Sequence, residues 1–186
     1  MTVHSNRLRF VNWRWQGVQL SDTKVPTAPD FVVSESLQVA GYDDDGSQIE
    51  LQLRFSPDLG RYFVEGVTLS VAGDEREITS ARIRDIPLLR LTRDALHEGG
   101  VVEYAAGGIF DPQAVRDAAP QLVEGGPSSE EAMLATARVY RYAQILQKSP
   151  AKAVQEDLGL TAPTATLWIR RARMLGLLGE YGASDG

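Results

Sequence analysis

The 186-residue chain reads as an α+β protein: an N-terminal antiparallel sheet with one or two short helices, followed by an all-α, three-helix helix-turn-helix module without a wing. Three observations predict this. Over the first hundred residues apolar and polar side chains alternate with period two between turn residues, the pattern of half-buried strands. From Thr79 the apolar spacing changes to three and four. Beyond Ser128 that helical spacing returns in three runs separated by short, capped breaks.

Leu8, Phe10, Trp13 and Trp15 mark the first strand-like stretch, which is aromatic and less regular than those that follow. Phe31 to Tyr42 is the next strand. It meets Ile49–Phe55 across Asp43-Asp44-Asp45-Gly46-Ser47, where Asp-Gly supplies the positive backbone torsion of a tight hairpin turn. Ile49, Leu51, Leu53 and Phe55 fall on one face. After the turn Ser56-Pro57-Asp58-Leu59-Gly60, Arg61 to Val71 completes an antiparallel sheet. Ile83, Ile86, Leu89, Leu91 and Leu96 then form a helical stripe interrupted by Pro87. A short helix capped by Thr79 or Ser80 is expected, then a break at Ile86-Pro87 and a second helix to about His97, because proline suits only the first turn of a helix.

These elements make residues 1–97 an α+β domain. Residues 98–128, punctuated by Gly99-Gly100, Gly107-Gly108 and Gly125-Gly126-Pro127, read as a Gly/Ala/Pro-rich linker with one or two helical turns around Asp111 to Leu122. Residues 129–178 form the helical module, and 179–186 a flexible tail.

In the module, the first helix is expected from Ala132 to Gln147, with Ala135, Val139, Tyr142, Ala143 and Leu146 on a single apolar face, capped by Ser128 or Ser129 with Glu130 and Glu131 at its positive end. Ser149 and Pro150 open a second helix, Ala151 to Leu158, with proline at the first helical position. Gly159 supplies a left-handed C-cap, and Thr161 caps the third helix, Ala162 to Leu175, whose inward face is Ala165, Trp168, Ile169 and Ala172. Trp168 on that stripe is a core residue, not a stacking platform.

Composition excludes several function classes. No run of eighteen uncharged apolar residues exists, so no membrane span is expected, and Met1 to Arg14 does not lead into an export signal. With no cysteine, the expected setting is the cytoplasm, and thiolate chemistry is out. Two histidines, His4 and His97, are too few for a metal cage or an oriented base; His97 is read as meeting the last carbonyls of its helix. Asp43 to Gly46 lacks the alternate spacing and closing glutamate of a calcium loop, and no glycine run forms a phosphate cradle. Glu35, Glu50 and Glu65 lie on solvent-facing strand positions. No metal, cofactor or catalytic residue is therefore expected, and the protein is not read as an enzyme.

The net charge of -6 is unevenly placed. From Ser129 onward seven basic residues face six acids, a balance of +1, so the preceding 128 residues carry -7. The outer face of the third helix presents Pro163, Thr166, Leu167 and Arg170, flanked by Thr164, Arg171 and Arg173. A helix fits the major groove with its N-terminal residues at base edges, and arginine clamps phosphates or reads guanine. On this reading Thr164, Thr166, Leu167 and Arg170 meet base edges, Arg171, Arg173 and Lys152 meet the backbone, and Thr161 completes the set at the start of the helix.

The string Ala153-Val154-Gln155-Glu156-Asp157-Leu158-Gly159-Leu160-Thr161, followed by Thr164-Ala165, Trp168-Ile169, Ala172-Arg173 and Gly176-Leu177-Leu178, resembles the C-terminal helix-turn-helix of a group of uncharacterised actinobacterial and actinophage proteins with a strand-rich N-terminal region. Residues 60–95, with an Ile-Pro in the segment Ile78 to Leu91, match that group loosely. The resemblance implies DNA binding. It departs at Gln155, where such modules commonly keep a small residue four positions before the turn glycine.

Two functions follow as expectations. The first is a transcriptional regulator that binds double-stranded DNA and whose N-terminal domain dimerises or engages a partner, with the aromatic first strand and the exposed sheet edge as the dimerising surface, since one three-helix module covers little DNA. The second is a non-enzymatic protein-protein adaptor in which the acidic N-terminal domain does the work and the helical tail assembles it.

Overall fold

A computed structural model describes residues 13–28, 30–44, 46–71 and 77–178. It has the expected α+β order, strands first and helices last. The expected strand positions Leu8 and Phe10, and the tail 179–186, lie outside the described residues.

The strands build two antiparallel sheets where the sequence predicted one. The first has the order β1 (Arg14–Leu20), β4 (Ser36–Tyr42), β5 (Gln48–Ser56), β6 (Arg61–Ser70). The second has the order β2 (Lys24–Ala28), β3 (Phe31–Ser34), β7 (Val102–Tyr104). The single strand expected from Phe31 to Tyr42 is thus divided at Glu35. There the Glu35 N–H donates to the Thr23 carbonyl and the Glu35 carbonyl accepts from Phe55 N–H, both at 2.8 Å. Opposite it, the Ser21 hydroxyl accepts from Ser36 N–H at 3.1 Å. One bent ribbon, β1–β2 against β3–β4, therefore serves both sheets, and apolar spacing alone does not reveal such a corner because Phe31 and Val33 before it and Leu37 and Val39 after it keep the same parity.

Ile49, Leu51, Leu53 and Phe55 are all buried, as their alternation predicts. The hairpin turn closes through Gly46 at φ 78. Asp43 points inward as a turn residue: its carboxylate accepts from Ser47 N–H at 2.7 Å and pairs with Arg82 at 3.0 Å. Gly41 is required by packing, since a Cβ there would stand 2.8 Å from the Trp15 ring.

Arg82 belongs to α1 (Ser80–Arg84), capped by the Thr79 hydroxyl; α2 (Leu88–Glu98) starts after Pro87, as the break predicts. The stripe is not wholly internal, however. Ile83 and Leu89 are exposed, and α2 buries Leu91, Thr92, Ala95 and Leu96. The proline break resets the helical phase, so residues on either side of it do not share a face. His97 lies 3.3 Å from the Tyr142 hydroxyl instead of turning to carbonyls.

The segment 98–128 differs most from expectation. In place of a linker it supplies β7, which pairs with β3, and a fourteen-residue helix, α3 (Pro112–Gly125), with Asp111 capping and Pro112 in the first turn. Its sparse apolar residues decide the matter: Val101, Val102 and Phe110 are fully buried, and Val115 and Ala119 line the inner side of α3. Phe110 stacks edge-on to Phe31 at 4.9 Å and tilts on Tyr142 at 5.0 Å, joining the second sheet to the helices. The glycines are turns within a folded segment, Gly107 and Gly108 both at φ 98.

Helices α4 (Glu130–Ile145), α5 (Pro150–Asp157) and α6 (Ala162–Met174) start and stop within two residues of the expected limits. α4 does not have a single apolar face. It buries nine residues around its circumference, Arg141 among them, because α3, α5, α6 and β6 all pack against it. Arg138 pairs with Asp30 and lies 5.2 Å over the Tyr104 ring. At the end of α4, Gln147 adopts φ 55, donates its amide to the Tyr62 carbonyl at 3.0 Å and accepts from Arg93 at 2.5 Å. Buried side chains of the sheets and of the helical module form one continuous cluster.

Candidate nucleic-acid interface

Each part of the three-helix unit has a local cause. Ser129 caps α4, its hydroxyl accepting from Ala132 N–H, and Glu130 and Glu131 occupy the first turn. Ser149 precedes α5, but its hydroxyl makes no cap bond; Pro150 in the first turn fixes the start instead. At the end of α5, Gly159 takes φ 62 while Leu160 N–H donates to the Gln155 carbonyl at 2.9 Å and Gly159 N–H to the Glu156 carbonyl at 3.4 Å. This doubly bonded left-handed cap sets the angle between α5 and α6. Gln155 is half-buried while Val154 and Leu158 fill the seam.

Thr161 caps α6, its hydroxyl accepting from Thr164 N–H at 3.4 Å and bonding the Thr164 hydroxyl at 2.8 Å. Ala165, Trp168, Ile169 and Ala172 are buried, so the helix is clamped along one stripe. The other side is free. Pro163, Thr166, Leu167, Arg170 and Arg173 are exposed, with Leu167 at 56%. Among the described residues, Arg170, Arg171 and Arg173 face no carboxylate within ion-pair distance. Unpaired guanidinium groups on a rigid helix form a donor array for an anionic partner.

The expected set is not brought together entirely. Thr166, Leu167, Arg170 and Arg173 share the outer side of α6. Thr161 and Thr164 sit at its N-terminal edge with hydroxyls bonded to each other, and Thr164 is half-buried. Arg171 lines a groove of about 330 Å³ with Glu130, Met133 and Leu175, between the start of α4 and the end of α6. Lys152, on α5, is exposed and 3.6 Å from Glu156, a solvent-screened pair. Thr166 directs its hydroxyl to the Ala162 carbonyl at 3.0 Å.

Two features escape the sequence reading. Met174, 78% exposed, continues the outer row Pro163, Leu167, Arg170 at helical spacing, a signal available by extending that row one turn. The Arg116–Asp157 ion pair, 2.8 Å, fixes α3 against α5; with 98–128 taken as a linker, nothing in the sequence marked it. Elsewhere the strand carboxylates are surface partners, Glu35 and Glu65 flanking Arg54 at 3.5 and 3.0 Å. Among the described residues no helix is long and apolar enough to cross a membrane. No family model, curated protein or solved structure matches the chain, so the resemblance seen in residues 153–178 stands on those residues alone.

Proposed function

We propose that this protein binds double-stranded DNA, with α6 in the major groove, and acts as a transcriptional regulator in the cytoplasm. The observation that carries this reading is the free side of α6, where Arg170 and Arg173 stand unpaired beside Thr166 and Leu167 on a helix held by four buried residues. The left-handed turn at Gly159 between α5 and α6 supports a helix-turn-helix reading. The module is docked on the sheets through Arg138, Phe110 and Gln147, so two copies paired through the strand-rich part would hold two reading helices at a fixed separation. β1 and β6, the outer strands of the four-stranded sheet, offer the edges for such pairing.

The test is enrichment of bound sequences from a random duplex library by the full-length protein, beside an Arg170→Ala, Arg173→Ala variant. A short enriched motif that the variant loses is the expected result, with affinity falling steeply as salt rises and a shallower salt slope in the variant. Equal, weak binding by both proteins would sink the proposal. A second reading, a protein-protein adaptor, is favoured by one observation: Leu167 and Met174 on α6, and Leu175 directly after it, are apolar and more than half exposed. Its signature would be salt-insensitive association that Met174→Glu abolishes.

A further inference from the structure

The two halves of the outer side of α6 differ in chemistry. In the N-terminal half neither threonine hydroxyl faces outward unengaged: Thr166 Oγ1 donates to the Ala162 carbonyl at 3.0 Å, and Thr164 Oγ1 is bonded to Thr161 Oγ1 at 2.8 Å. What this half offers is the Pro163 ring, the Thr166 methyl and the Leu167 side chain, 56% exposed. The charged donors begin only one turn later, at Arg170 and Arg173. In a helix laid into the major groove it is the N-terminal half that comes closest to base edges. The single apolar group on those edges is the C5 methyl of thymine.

We infer that α6 reads DNA through the C5 methyl groups of thymine, with Leu167 and the Thr166 methyl as the reading groups and Arg170 as the adjacent hydrogen-bonding anchor. The inference rests on the DNA-binding proposal and deepens it: the partner is duplex DNA with thymine opposite residues 166 and 167, and discrimination there comes from shape and desolvation. It narrows the expectation that Thr164, Thr166, Leu167 and Arg170 meet base edges, by making the contact at residues 166 and 167 an apolar one.

The experiment uses the full-length protein and the duplex enriched from the random library. Each thymine is replaced in turn by deoxyuridine, which removes the methyl and leaves every hydrogen-bonding group in place. Wild type, Leu167→Ala and Thr166→Ser are compared at one salt concentration. At one or two positions deoxyuridine should weaken the wild type by about fourfold per methyl, the value of one buried carbon group. Leu167→Ala should lose that sensitivity at one position, and Thr166→Ser, which keeps the hydroxyl, at the same or the neighbouring one. An enriched motif indifferent to every deoxyuridine would overturn the methyl reading and leave DNA binding standing, as would sensitivity that persists in both variants. Failure to enrich any motif would overturn both.

Discussion

α4 and α6 are helices of similar length, sixteen and thirteen residues, in the same three-helix unit, yet they are committed in opposite ways. α4 buries nine residues around its circumference and has no free side. α6 buries four on one stripe and leaves a row of Pro163, Leu167, Arg170 and Met174 in solvent. Sequestered on all sides, α4 transmits position: it carries the Arg138–Asp30 pair and the Gln147 contacts that fix the module on the sheets. With one side clamped and one side open, α6 can meet a partner without any cost to the core. Function is to be sought where a rigid element keeps unpaired polar groups, and stability where none of its sides is free.

Substitutions can break or sharpen this contrast. The largest expected effect is Trp168→Ala, which removes the anchor of the clamped stripe and should cost about 3 to 5 kcal/mol in denaturant unfolding. A loss below 1 kcal/mol would mean that α6 is not held as described. On α4, Ala143→Leu forces extra carbons into a helix with no room and should cost about 1 to 3 kcal/mol; a neutral result would contradict burial on all sides.

Tyr62 tests the strand layer beneath α4. Its hydroxyl donates to the Ser34 carbonyl at 2.6 Å, and burial raises its pKa above the ordinary value of 10. The unfolded chain therefore ionises first, so this contribution is fully present below pH 10 and is lost as pH climbs toward the raised folded value. Tyr62→Phe should lose about 1 kcal/mol at neutral pH, and its stability should then fall less steeply above pH 10 than that of the wild type. Parallel alkaline profiles would refute the assignment. Smallest of all, Leu167→Ala should change stability by no more than about 0.5 kcal/mol, and a larger loss would show that Leu167 is covered.

The helical module was legible residue by residue. Ser129, Gly159 and Thr161 mark its breaks through bonds to neighbours a few positions away and Pro150 through its fixed φ, and the spacing of Ala165, Trp168, Ile169 and Ala172 declares the clamped stripe. The outer row was legible as residue types, but not the engagement of the hydroxyls of Thr164 and Thr166, which depends on rotamers. The position of Arg171 in a groove beside Glu130 depends on how two helix ends meet, and spacing within one helix carries no information on that.

In the strand-rich part the sequence determined the buried faces of β4 and β5, because side chains alternate wherever the backbone is extended. It did not determine partners. The corner at Glu35, the addition of β7 to β3 and the Arg116–Asp157 contact of α3 with α5 join residues far apart in the chain, through backbone groups common to all residues and a few side chains. Local bonding patterns are written in the sequence, whereas the choice among distant surfaces of similar chemistry is made only when the chain is packed. For this reason the sequence by itself determined the three helices and the exposed side of α6, and the tertiary structure alone decided that α4 has no free side and that 98–128 is part of the body.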